Sequence, residues 1–247
     1  MYRIKICGIT TIDDALAAIG AGADAIGLNC YEKSPRYVAP ERASEIVNAV
    51  REEHSAAACE IYAVFVNATA DDILWTLRDA ELYGIEQSVH IQLHGDEPPE
   101  LLAELKRHGL GRSADLLHAT GHAPLVQIVR AFRCQSGLDE ATEYLRQCRE
   151  QGALPHAVLL DAFQPGSYGG TGQTVDWNAV RQRGDKLLGL PTVLAGGLTP
   201  ENVVAAMETA QPDAVDVSSG VESSPGRKDE DKLRAFVAAA RQGLRSL

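Results

Sequence analysis

The chain has 247 residues, 45% of them hydrophobic, with 23 lysines and arginines against 34 acidic residues and a formal net charge of −11. That length and apolar content suit one large α/β domain or two small ones, while the acidic balance argues against general nucleic-acid binding. No apolar run approaches a membrane span and no basic stretch leads into an apolar one at the start, so the cytoplasm is the expected location.

The first predicted strand, residues 3–7, alternates charged and apolar side chains, so Lys5 and Cys7 share one face and Ile4 and Ile6 the other. A thiol at the last residue of a strand reads either as a small buried hydrophobe or as a nucleophile or base at the lip of the sheet. Further strands are predicted over 25–30, 61–67, 89–94, 126–132, 157–161, 192–195 and 214–218. Helices follow each strand, over 11–21, 40–51, 70–83, 99–107, 138–150, 176–183, 200–207 and 228–245. Thr69 ahead of Asp71 and Asp72 is a helix-start signal, and Thr199-Pro200-Glu201 offers a capping hydroxyl before a proline at the first helical position. Eight strand–helix units without a linker imply a parallel sheet with right-handed crossovers, and so a single-domain (β/α)₈ barrel spanning 1–247. An open doubly wound sheet is the runner-up, disfavoured by the unit count and by the lack of a G-x-G-x-x-G turn after the first strand.

Between the fourth helix and fifth strand, residues 110–124 read as an extended connection. His118 and His122 stand four apart there, but no carboxylate or thiol accompanies them at ligand spacing, so no metal site is expected. The five cysteines, Cys7, Cys30, Cys59, Cys134 and Cys148, include no C-x-x-C pair and are expected to be reduced thiols.

Barrel chemistry sits at the C-terminal strand ends. Those ends carry Cys7-Gly8, Asn29-Cys30, Asn67, His94-Gly95, Arg130 with Phe132, Asp161, Ala195-Gly196-Gly197 and Ser218-Ser219-Gly220. Glycine and serine turns after the seventh and eighth strands suit a phosphate held on backbone N–H groups, although each alone is no more than a tight turn. A third glycine-rich loop fills the 15 residues between Asp161 and Trp177, long enough to cover a ligand.

"KICGIT", "KSPRYV", "VFVN", "QLHGDE", "LLDA", "YGGTGQTVDW", "LAGGLTPENV" and "AVDVSSGVESSPGRKD" occur in this order from the first strand to the last helix, and together they resemble the phosphoribosylanthranilate isomerase family. The resemblance implies an Amadori rearrangement in tryptophan biosynthesis, without metal or organic cofactor. It implies Cys7 as general base, Asp161 as general acid and Arg36 as the ligand of the anthranilate carboxylate. It also implies a phosphate site from Gly196, Gly197, Ser218, Ser219 and Gly220 with the loop at Gly170, Thr171 and Gly172. The chemistry needs a protonated acid and a deprotonated base together, so burial is expected to raise the aspartate and a cation to lower the thiol. Lys5 is expected to fill a barrel layer as half of an ion pair with Asp216.

Asn29, Cys30, Glu32 and Arg130 depart from the family's usual residues and are expected at the pocket wall. The other cysteines are expected to be packing residues. Competing readings are another phosphate-binding barrel enzyme, which would want metal ligands or lysines at its strand ends, and a sugar-phosphate-binding protein that has lost catalysis. The retention of both Cys7 and Asp161 ranks these below the isomerase.

Overall fold

The computed structural model describes residues 1–53, 59–79, 89–110, 126–134, 137–162 and 175–245. Eight parallel strands close into one barrel in sequential order. They are β1 (Ile4–Cys7), β2 (Ala25–Asn29), β3 (Glu60–Phe65), β4 (Val89–Leu93), β5 (Ile128–Cys134), β6 (Ala157–Ala162), β7 (Thr192–Leu194) and β8 (Ala214–Val217). Among the described residues the α-helices are α1 (Ile12–Gly20), α2 (Pro40–Glu53), α3 (Ala70–Asp79), α4 (Pro99–Arg107), α5 (Asp139–Glu150), α6 (Trp177–Arg181), α7 (Val203–Ala210) and α8 (Glu230–Arg245).

The alternation in β1 decides what faces what. Ile4 and Ile6 are fully buried in the large cluster between sheet and helices, while Lys5 registers with Ala25 on β2 and Asp216 on β8 inside the barrel. Carried round by the strand register, the inward positions include Ala25, Tyr62, Val129, Ala131, Ala157, Leu159, Val193 and Ala214, which form a separate small core. Small and branched residues fill the space around two long ones, Lys5 and Tyr62, because side chains from eight strands must interlock in layers. The next inward position after Lys5 on β1 and after Leu159 on β6 brings this same face to the mouth at Cys7 and Asp161.

Helix starts follow local chemistry. Thr11 accepts the Asp14 N–H at 3.1 Å to cap α1, and Asp176 accepts the Asn178 and Ala179 N–H groups at 2.9 and 3.2 Å to cap α6. At α3 Thr69 and Asp72 bond reciprocally, the Asp72 N–H to Thr69 Oγ1 at 3.2 Å and the Thr69 N–H to the Asp72 carboxylate at 3.1 Å. The signal at Thr199-Pro200 misplaces its helix by one turn. Asn202 accepts the Thr199 N–H at 2.8 Å and donates to the Gly197 carbonyl at 2.9 Å, which holds 199–202 as a turn and delays α7 to Val203.

Three other expectations need correction. The last helix begins at Glu230, not 228, because the chain first makes a small antiparallel ribbon, β9 (Glu222–Ser224) with β10 (Arg227–Lys228). The fifth strand runs two residues further than predicted. Arg130 is not at the pocket wall: it lies on the outward face of β5, ion-paired with Glu97 at 3.2 Å and stacked between Phe132 and Tyr144 of α5 at 5.0 and 4.9 Å. His118, His122 and the 163–174 loop fall outside the described residues.

Candidate active site

The C-terminal mouth of the barrel opens into a cleft of about 650 Å³, its open mouth included, bordered by Cys7, Arg36, His94, Asp161, Asp216 and the turns after β7 and β8. Cys7 ends β1 on the inward face. Beneath it the Lys5 ammonium, fully buried, lies 3.0 Å from Asp216 Oδ2, the expected internal ion pair. Gly27, the register partner of Cys7 on β2, leaves the room for both groups: a Cβ there would stand 2.7 Å from Cys7 Sγ and 3.1 Å from Lys5 Nζ. Burial would by itself lower the Lys5 ammonium, but Asp216 and Cys7 hold it above its ordinary value. The thiol departs from expectation. Burial pushes Cys7 up, and the nearby Lys5 and Lys228 charges offset that only in part, so the cation is present but does not win.

Asp161, near the end of β6, is buried and held at both carboxylate oxygens. Oδ1 accepts the Ala162 N–H at 2.8 Å, and Oδ2 lies 3.0 Å from His94 Nε2. His94 Nδ1 lies 2.8 Å from the Gln92 amide nitrogen, so with that nitrogen donating, the ring hydrogen sits on Nε2 and points at Asp161. Sequence reasoning placed His94 at a strand end without a role, and Gln92 went unnoticed. Inward alternation along β4 puts the two on one face, but only the barrel's closure brings that face against β6.

Gly196 and Gly197 turn through the left-handed region at φ +80 and +60° directly beside Asp161. Gly220 sits so close to the β7 turn that a Cβ would stand 1.8 Å from the Leu198 carbonyl oxygen. The two turns are thus packed against each other, with Ser218, Ser219 and Gly220 on the same wall of the cleft as Gly196 and Gly197. Ser218 Oγ and Asp216 Oδ1 have no hydrogen-bond partner among the described residues. Gly170, Thr171 and Gly172 lie outside the described residues.

Arg36 comes from the loop between β2 and α2. It has a partner within the chain: Arg36 Nε and Nη2 donate to the two oxygens of Glu222 at 2.8 and 2.7 Å. Lys228 completes the cluster 2.9 Å from Glu222 Oε1. Both acid and lysine come from the ribbon, of which the sequence reading put Lys228 in the last helix and left Glu222 in a connection. Of the departures from the family pattern, Asn29 borders the cleft and bonds Ser34 at 3.1 Å, while Glu32 is exposed. Cys30, Cys59, Cys134 and Cys148 pack against the core with their thiols pushed up by burial, the first three to about 12 and Cys148 to about 11. No cluster of His, Cys, Asp or Glu able to hold a metal ion occurs among the described residues.

Comparison with known proteins agrees with this geometry. Residues 4–239 match the family model of N-(5'-phosphoribosyl)anthranilate (PRA) isomerase. N-(5'-phosphoribosyl)anthranilate isomerases of Geobacter sp. strain M21 and Trichlorobacter lovleyi are each 39% identical, covering 98 and 99% of this chain and 99 and 100% of their own lengths. The crystal structure of phosphoribosyl anthranilate isomerase from Thermotoga maritima is 33% identical over 98% of this chain and 100% of its own, with a TM-score of 0.75. A structure of phosphoribosyl anthranilate isomerase in complex with reduced 1-(o-carboxyphenylamino)-1-deoxyribulose 5-phosphate superposes with a TM-score of 0.72 at 32% identity, over 98% of this chain and 100% of that one. A family model that matches residues 4–239 and relatives 39% identical over nearly the whole of both chains show that the chain belongs to the N-(5'-phosphoribosyl)anthranilate isomerase family.

Proposed function

We propose that this member of the family converts N-(5'-phosphoribosyl)anthranilate to 1-(2-carboxyphenylamino)-1-deoxyribulose 5-phosphate with Cys7 as general base and Asp161 as general acid. Asp161 delivers its proton to the furanose oxygen, the ring opens, and the C1'–N bond becomes a protonated Schiff base. Cys7 as thiolate then removes the C2' proton, the electron pair moves to the imine, and an enolamine forms that tautomerises to the aminoketone. One proton passes from Asp161 to the ring oxygen and one from C2' to Cys7, so after both steps the pair's total charge is what it was. The single observation that carries this reading is the placement of Cys7 and Asp161, from β1 and β6, on the border of one cleft.

His94 holds Asp161 by one oxygen, fixing where the acid points, and the Ala162 N–H holds the other. The phosphate rests on the turns of Gly196, Gly197, Ser218, Ser219 and Gly220, whose backbone can approach an anion closely. Arg36 receives the anthranilate carboxylate. All 247 residues serve as one catalytic domain, and the cytoplasm is its place; no helix among the described residues is long and apolar enough to cross a membrane. The partner is a small phosphosugar. Mixing the purified protein with freshly made substrate and following the loss of anthranilate-like fluorescence tests the whole reading, and an unchanged signal refutes it.

A further inference from the structure

Arg36, Glu222 and Lys228 form a buried charge cluster at the rim of the cleft, two cations around one carboxylate. A guanidinium offers two edges with paired N–H groups, one from Nε and Nη2 and one from the two Nη atoms. Glu222 occupies the first edge completely, with both its oxygens engaged at 2.8 and 2.7 Å. Glu222 is itself fixed. Lys228 Nζ lies 2.9 Å from its Oε1, and the Lys232 ammonium donates to its carbonyl at 2.8 Å.

Lys228 does more than neutralise. Its ammonium also donates to the Cys7 carbonyl at 2.7 Å and to the Ser218 carbonyl at 3.2 Å. One cation thereby joins the strand end that carries the thiol, the turn after β8 and the acid that orients Arg36. Burial lowers the Lys228 ammonium, and Glu222 restores it only in part. Burial would raise Glu222, but the hydrogen bonds and charges of Arg36 and Lys228 outweigh it and hold the carboxyl below its ordinary value. Glu222 thus holds Arg36 by one edge of its guanidinium.

We propose that Glu222, fixed by Lys228, is a positioning residue that turns the remaining edge of Arg36 toward the substrate's aryl carboxylate before the substrate arrives. This rests on the reading of Arg36 as the carboxylate ligand. Coulomb repulsion alone says that removing a carboxylate beside an anion site strengthens anion binding. Pre-organisation says the reverse, because an unclamped arginine must surrender rotamer freedom to bind.

The test measures dissociation constants for two probes, reduced 1-(o-carboxyphenylamino)-1-deoxyribulose 5-phosphate and the same compound without its carboxyl group. Their ratio is the carboxylate preference, and the second probe reports that the rest of the site is folded. In Arg36→Ala the preference collapses; if it stays at the wild-type value, the reading of Arg36 fails, and with it the proposal. In Glu222→Gln the preference falls about tenfold while affinity for the probe lacking the carboxyl group stays within about twofold. An unchanged or larger preference in Glu222→Gln, against a collapsed one in Arg36→Ala, overturns the clamp alone. Equal weakening of both probes also overturns it, since that is the mark of a merely structural role. Should Glu222→Gln bind neither probe, the ratio is read on Glu222→Asp, which keeps the charge but withdraws it by one methylene; a reduced preference there supports the clamp, and an unchanged one overturns it.

Discussion

His94 Nε2 lies 3.0 Å from Asp161 Oδ2, joining the end of β4 to β6 past the intervening strand. Both side chains are buried, so the contact is shielded from water and its loss is not made good by solvent. Hydrogen bonds to charged groups contribute about 1.5–3 kcal/mol, so His94→Asn lowers kcat about 10- to 100-fold with KM little changed. Asp161→Asn removes the transferable proton itself and costs more, about 10²–10⁴-fold. Steady-state kinetics on the two variants checks the order, and an equal loss in both places His94 in the proton transfer rather than behind it.

Cys7→Ala abolishes turnover, by about 10²–10⁴-fold or more, while binding of a product analogue stays near wild type, because the thiolate acts on a proton and not on affinity. Calorimetric binding alongside activity separates the two.

Burial sets the pH dependence of the same thiol. Its pKa is raised, so the thiolate grows in only above the ordinary thiol range, and the base-dependent limb of kcat/KM in the free enzyme rises with pH past that range. The pH dependence of Cys7 alkylation measures it directly, and a rate that levels off below the ordinary thiol value contradicts the burial argument.

Gly27→Ala puts a methyl group 2.7 Å from Cys7 Sγ and 3.1 Å from Lys5 Nζ, and backbone Cα of Cys7 at 3.2 Å leaves little room to shift. Overpacking of this kind costs about 1–3 kcal/mol of stability. Displacing the base by an ångström costs about 100-fold in kcat. Thermal melts and kinetics read the two effects separately.

Arg36→Lys keeps the charge but loses the planar edge, so its kcat/KM lies nearer to that of Arg36→Ala than to wild type, a loss of about 1.5–3 kcal/mol. Inorganic phosphate inhibits both variants about as well as wild type if the phosphate rests on the turns after β7 and β8. If Arg36→Ala weakens phosphate inhibition as much as substrate binding, the two anions have been placed the wrong way round.

Local pattern was enough to determine the barrel and the chemistry-bearing strand ends. Alternation in "RIKIC" sends Lys5 and Cys7 inward and Ile4 and Ile6 outward, and the repeat of eight strand–helix units then leaves one closed parallel sheet as the way to bury both faces. Cys7, Asp161 and the glycine turns were legible because a strand end is defined by its own few residues. Apart from Lys5 with Asp216, what pairs with what was not. His94 meets Asp161 across 67 positions and Arg36 meets Glu222 across 186, and such contacts depend on strand register and barrel closure rather than on neighbouring residues. The same holds for Arg130, whose outward side follows from the register that turns its neighbours Val129 and Ala131 into the barrel. The state of the Cys7 thiol was open for a related reason: a cation and a burial penalty pull it in opposite directions, and only the packed site, with Lys5 already committed to Asp216, decides that burial prevails.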